Sequence, residues 1–144
     1  MRLAEIERVT GASRLDIGNW LKRLTMTSDF PEVQPGAPRD YSYQNVVELA
    51  FIAAFVAAGL PPSTSVAFAR PFVVSAQAPG VRIGESRAWT VFPAGDHRRA
   101  IATDQVDIDK LAASFDEGTP PTFTIVNTDK IFTRVDDLFN HAPP

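Results

Sequence analysis

Apolar positions recur at helical spacing through the first part of the chain, and the pattern is interrupted once. Leu3, Ile6 and Val9 stand three residues apart before Gly11 breaks the run. Ile17, Trp20, Leu21 and Leu24 then fall at i, i+3, i+4 and i+7, the stripe of a second short helix. Ser13 occupies the N-cap place, where its hydroxyl accepts from the free N–H groups of the first turn. Asp16, three residues on, suits both that cap and the positive end of a helix. The spacing predicts two short helices around a glycine-containing turn. Arg14, Leu15, Gly18, Asn19, Lys22 and Arg23 fall on the side away from the stripe.

Residues 25–41 have no helical period and carry Pro31, Pro35, Gly36 and Pro38, which suits a loop or a small hairpin. Residues 43–58 are the most apolar stretch, with Glu48 their only charge. Ser42 can cap this helix, and Gly59 before Pro61-Pro62 stops it. Sixteen residues fall short of the ~20 that a bilayer span takes. Apolar side chains nonetheless cover nearly every face, so the helix must be enclosed, by the C-terminal half or by a second subunit. Burial within the chain itself is the commoner fate. A further helix starts near Pro62 or Ser63 with Val66, Ala69 and Val73 inward. Pro71 removes a backbone donor and is expected to kink or end it. Residues 76–87 hold Pro79, Gly80 and Gly84 and read as a connecting loop.

Beyond this loop the period changes to two. Ala88-Trp89-Thr90-Val91-Phe92 and Ala100-Ile101-Ala102-Thr103 read as strands of a hairpin around Pro93-Ala94-Gly95-Asp96-His97. Residues 108–115 read as a helix ended by Gly118, and Thr122-Phe123-Thr124-Ile125-Val126 as a third strand after Pro120-Pro121. Asn127 or Thr128 caps a last helix with Ile131, Phe132, Val135, Leu138 and Phe139 on one face. The tail Ala142-Pro143-Pro144 is expected to fray. The predicted class is α+β. A mostly helical part over 1–75 is followed by a linker at 76–87. A small α/β element with a β-hairpin and a terminal helix then occupies 88–141.

Composition narrows the function classes. The 144 residues fit one domain, or a small domain with an appendage, and 44% hydrophobic content is enough for a core. A net charge of −3 argues against a generic polybasic coat for nucleic acid but not against a local basic face. Residues 1–41 carry six basic and six acidic side chains, whereas residues from 104 onward carry three and eight. Phosphates would be repelled by the second region and tolerated by the first, where Arg14, Lys22 and Arg23 share one side with only Asp16 near. The absence of cysteine rules out disulfides and thiolate metal sites. The charged start is unlike a signal peptide, and the expected location is cytoplasmic. Asp96-His97-Arg98-Arg99 reads as a polar hairpin tip, since no nucleophile or paired acid accompanies His97. Asp104, Asp107 and Asp109 lack the glycine and late glutamate of a calcium loop and read as solvent-facing. His141 carries no inference. No enzyme activity, metal or cofactor is expected.

Two short helices linked by a glycine-containing turn make a candidate helix-turn-helix, whose second helix enters a DNA major groove. In their order along residues 3–69, four segments resemble the winged helix-turn-helix of the MerR family and the excisionase-like DNA binders. Thr10-Gly11-Ala12-Ser13 is similar to the family's turn, and Ile17-Gly18-Asn19-Trp20 to its recognition segment. Pro38-Arg39-Asp40-Tyr41-Ser42 is similar to the run that closes the wing, and Gly59-Leu60-Pro61-Pro62 to the next inter-helix turn. Gly18 stands where the family has a DNA-touching arginine, and Pro38 replaces the wing tyrosine. The long C-terminal coiled coil through which MerR regulators dimerise has no counterpart here.

The resemblance implies a bacterial or phage transcriptional regulator that binds double-stranded DNA as a homodimer. Arg14 and Lys22 or Arg23 would meet phosphates or guanine edges, Asn19 an adenine and Leu15 a thymine methyl. Ser13 is first a helix cap, though the free N–H groups beside it can hold a phosphate. Trp20 belongs to the core. Arg39 and Tyr41 at the wing base would bind backbone phosphate, with Tyr41 equally suited to packing. Two rival readings stay open. One is an accessory role in phage recombination or packaging, as in excisionases and small terminase subunits. The other is a protein-interaction or ligand-sensing module that has given up DNA.

Overall fold

The first helix, α1 (Leu3–Thr10), ends at Gly11, whose φ of +73° places its N–H 2.9 Å from the Glu7 carbonyl oxygen. That left-handed conformation suits glycine. The protein is described here by a computed structural model covering residues 1–32, 36, 39–84, 87–94, 96–114 and 122–141. Helix α2 (Arg14–Arg23) starts at Ser13, whose Oγ accepts from the Asp16 N–H at 3.1 Å. Ile17 and Trp20 are buried beneath it, and Leu21 and Leu24 pack at the edge of the same core. Helix α3 (Tyr43–Ala57) is capped by Ser42. The Ser42 Oγ accepts from Asn45 N–H at 3.2 Å, and the Ser42 N–H donates to Asn45 Oδ1 at 3.0 Å.

Helix α3 is the axis of the molecule, with eleven of its fifteen residues buried. Its cover comes from within the chain: α1 on one side, α4 (Pro62–Ser75) on another, and α6 (Thr128–Asn140) on a third. Six phenylalanines join these layers. Phe51 of α3 stacks on Phe72 of α4 with centroids 4.4 Å apart and meets Phe132 of α6 edge-on at 4.9 Å. Phe68 of α4 meets Phe55 at 5.8 Å and Phe92 at 6.3 Å. One buried cluster therefore runs from Ile6 to Val135.

Pro71 does not end α4, which continues to Ser75. A proline inside a helix costs ~3 kcal/mol. The ring of Pro71 faces outward, while Ala69 and Val73 bury on either side of it and Phe72 stacks on Phe51, which offsets that cost.

Residues 76–87 also depart from the expected loop. They hold two short antiparallel strands, β1 (Ala76–Ala78) and β2 (Val81–Arg82). Tertiary contacts order them. Gln44 Nε2 donates to the Ala76 carbonyl at 2.9 Å, and the Arg82 guanidinium sits 3.9 Å from the Phe132 ring centroid. Arg82 Nη2 also donates to Asp136 Oδ2 at 2.9 Å.

The remaining strands form one antiparallel sheet in the order β4-β3-β5, with β3 (Trp89–Pro93) between β4 (Ile101–Thr103) and β5 (Phe123–Asn127). Thr90 stands opposite Ala102 on one side and Val126 on the other. A 3₁₀ turn at His97–Arg99 links β3 to β4, and α5 (Ile108–Ser114) follows them. Asn127 is the cap of α6, accepting from Lys130 N–H at 2.9 Å, while Thr128 Oγ1 donates to the Arg87 carbonyl. The class is thus α+β. No helix among the described residues is long and apolar enough to cross a membrane. Phe115, Gly118, Pro120-Pro121 and the 142–144 tail lie outside the described residues.

Tyr43, at the start of α3, donates to Asp136 Oδ1 at 2.5 Å. Burial, and then that bond to a carboxylate, pushes the phenol well above the ordinary tyrosine range. A folded-state value raised above the unfolded one contributes stability that is fully present below pH ~10 and is lost as pH rises further. Wild-type protein is therefore expected to lose stability relative to Tyr43→Phe as pH climbs from 9 to 11.5 in urea titrations. A constant difference between the two proteins across that range would contradict the linkage.

Candidate nucleic-acid interface

Helix α2 presents two chemically distinct faces because its apolar residues are spaced for one side only. Ile17 and Trp20 point into the core, and Arg14, Leu15, Asn19, Lys22 and Arg23 are exposed. Leu15 is 73% exposed, the accessibility that its expected contact to a thymine methyl requires. Ser13 has its hydroxyl committed to the Asp16 N–H.

Not every cation is independent. Arg14 Nε lies 3.2 Å from Glu7 Oε1, an exposed pair that crosses the turn from α1. This corrects the expectation that only Asp16 lies near the basic side chains. Such surface pairs contribute ~0–1 kcal/mol to stability and exchange readily for a phosphate. Glu7 carried no signal in the sequence, because the Gly11 turn, rather than helical spacing, brings it beside Arg14.

Arg39 is half-buried and lines the groove beside α2 together with Gly18. Tyr41 is buried, although it lines the same groove. It is 4% exposed, packs edge-on against Phe30 at 6.1 Å, and its N–H donates to the Met1 carbonyl at 3.0 Å. The packing alternative is the one that holds for Tyr41, since the ring closes the core between the starts of α1 and α3.

The segment between α2 and α3 shows no strand among the described residues, and residues 33–35, 37 and 38 lie outside them. What holds its first part is a buried polar cluster that the sequence did not reveal. The Glu48 carboxylate, fully buried on α3, accepts from Thr27 N–H at 2.7 Å, Ser28 N–H at 2.9 Å and Ser28 Oγ at 2.7 Å. Asn45 Nδ2 donates to Ser28 Oγ at 3.0 Å and to the Asp29 carbonyl at 2.9 Å. Asn45 and Glu48 stand one turn apart on the same face of α3. Together they pin the chain a few residues after it leaves α2.

The other candidate chemistry stays scattered. Asp104, Asp107 and Asp109 are exposed, with Asp107 accepting from Lys110 N–H and Asp104 paired with Arg87. No group of three potential metal ligands occurs among the described residues. The side chain of His97 lies outside the described set. Comparison with protein-family models and with curated proteins returns no match.

Proposed function

We propose that this chain is a sequence-specific DNA-binding protein of the winged helix-turn-helix type, a bacterial or phage transcriptional regulator acting as a dimer. The observation that carries this reading is the outward face of α2. Leu15, Asn19, Lys22 and Arg23 stand exposed there, over a buried Ile17–Trp20 stripe and after a glycine turn. A helix held this way can enter a major groove, with Asn19 reading an adenine edge and Lys22 or Arg23 meeting guanine or phosphate. Arg39 supplies phosphate contact from the side, and Arg14 does so on release from Glu7. One such module buries too little surface for tight binding, so two half-sites are required. No step of chemistry is involved.

The test is fluorescence anisotropy against duplexes selected from a random library, at several salt concentrations. Lys22→Ala with Arg23→Ala is expected to weaken binding to all sequences and to flatten the slope of log K against log salt by about 2. Asn19→Ala is expected to cost ~1–3 kcal/mol and to relax preference at one base position. Wild-type protein without salt-dependent duplex binding would overturn the reading. It would favour the second one, in which this face takes a protein partner, a reading supported by the exposed Leu15 and the Arg14–Glu7 pair.

A further inference from the structure

Beside α2 the surface is hollowed into a groove of about 460 Å³, lined by arginines from three segments: Arg2 before α1, Arg14 on α2 and Arg39 before α3. Its floor is apolar, including Ile17 and Leu21, and no carboxylate lines it. Arg14 is held by Glu7, whereas Arg2 and Arg39 form no salt bridge with a described residue. Asp40 lies near enough to feel the charge of Arg2 but lines no part of the groove, so two guanidinium groups without a close ion pair stand over an apolar floor and attract a phosphate, because weak solvation strengthens each charge-assisted hydrogen bond.

Gly18 decides the shape of this groove. It lies inside α2 at ordinary helical φ, so the backbone does not require a glycine there, and a helix interior is weaker for having one. A Cβ added at Gly18 meets nothing within 4 Å. The missing side chain leaves open space where two hollows adjoin. Gly18, Leu21 and Arg39 line both this groove and a second hollow of about 520 Å³. That second hollow carries Asp29 and Glu32 as well as Lys22, and its two carboxylates make it a poorer phosphate site than the arginine end, which is lined by none.

We propose that Gly18 is the place where a DNA strand crosses α2, one backbone phosphate lying against Arg2 and Arg39 and stopping short of Asp29 and Glu32. The inference rests on the DNA-binding reading above. It adds Arg2 as a phosphate ligand and gives Gly18 a role that an arginine at that position could not fill.

The experiment uses the full chain and a random-sequence duplex between 50 and 200 mM salt. Arg2→Gln with Arg39→Gln is expected to bind roughly eightfold more weakly at 0.1 M salt, with a slope flatter by about 1, as one lost phosphate contact requires. Gly18→Leu is expected to unfold at higher urea than wild type, since leucine is the better helix former, yet to bind at least tenfold more weakly. If Gly18→Leu or the double arginine variant binds with the wild-type affinity and slope, the groove proposal falls while the DNA reading stands. If wild-type protein shows no salt-dependent duplex binding, both fall.

Discussion

Glu48→Ala is expected to destabilise the protein by about 3 kcal/mol, a large part of the ~5–15 kcal/mol that holds a domain folded. The carboxylate is fully buried and accepts three hydrogen bonds from Thr27 and Ser28. Hydrogen bonds to a charged group contribute roughly 1.5–3 kcal/mol each, and removing the acceptor leaves donors that must find other partners. Thr27 and Ser28 are only half-buried, so water recovers part of that loss and keeps the total near the lower end. Glu48→Gln presents an NH₂ group where donors converge and is expected to cost about 2 kcal/mol. Urea denaturation measures both changes. Amide exchange at Thr27 and Ser28 should quicken in each variant, more than at Leu49 or Phe51 within α3. A loss below 1 kcal/mol for Glu48→Ala would show that the loop is held by something else. Because the same cluster holds the segment that follows α2, weakened duplex binding should accompany the freed loop even where the protein stays folded.

Phe51→Ala is expected to cost more, about 4 kcal/mol. The ring is fully buried and touches two other layers, stacked on Phe72 and edge-on to Phe132. Truncating a buried phenylalanine loses its transfer free energy and leaves a cavity, together ~3–5 kcal/mol. The lost aromatic pairs add ~0.5–1.5 kcal/mol each, offset where neighbours relax into the space. The measurement is the urea midpoint and slope of unfolding by circular dichroism. Val56→Ala, at a half-buried site on the same helix, is the comparison and should cost less than half as much. Equal losses for the two variants would contradict the place given to the phenylalanine cluster.

The candidate site was legible in part. Ser13, Ile17 and Trp20 declared the cap and the inward stripe of α2, and the outward residues followed as the complement. Tyr41 was ambiguous, because an aromatic ring beside polar neighbours suits either solvent or core, and only the position of Phe30 decides between them. Glu7 and Arg2 were invisible. The first reaches Arg14 across a turn of changed direction, and the second matters only because Arg39, far along the chain, lines the same groove. Glu48 was seen as the lone charge of an apolar helix, but nothing near it in sequence indicated which donors it would meet.

Local order in this protein was determined by the sequence alone. Periods of 3.6 and 2, the caps at Ser13, Ser42 and Asn127, and the glycine stops at Gly11 and Gly59 depend on residues within about four positions, where geometry is set by the backbone itself. The tertiary structure decided what those elements enclose. It chose α4 and α6 as the cover of α3, carried a helix through Pro71, turned an expected loop into β1 and β2, and took Tyr41 inside. Each of these depends on partners distant along the chain, such as Tyr43 and Asp136, 93 residues apart, whose approach is settled by packing and desolvation after the local elements exist.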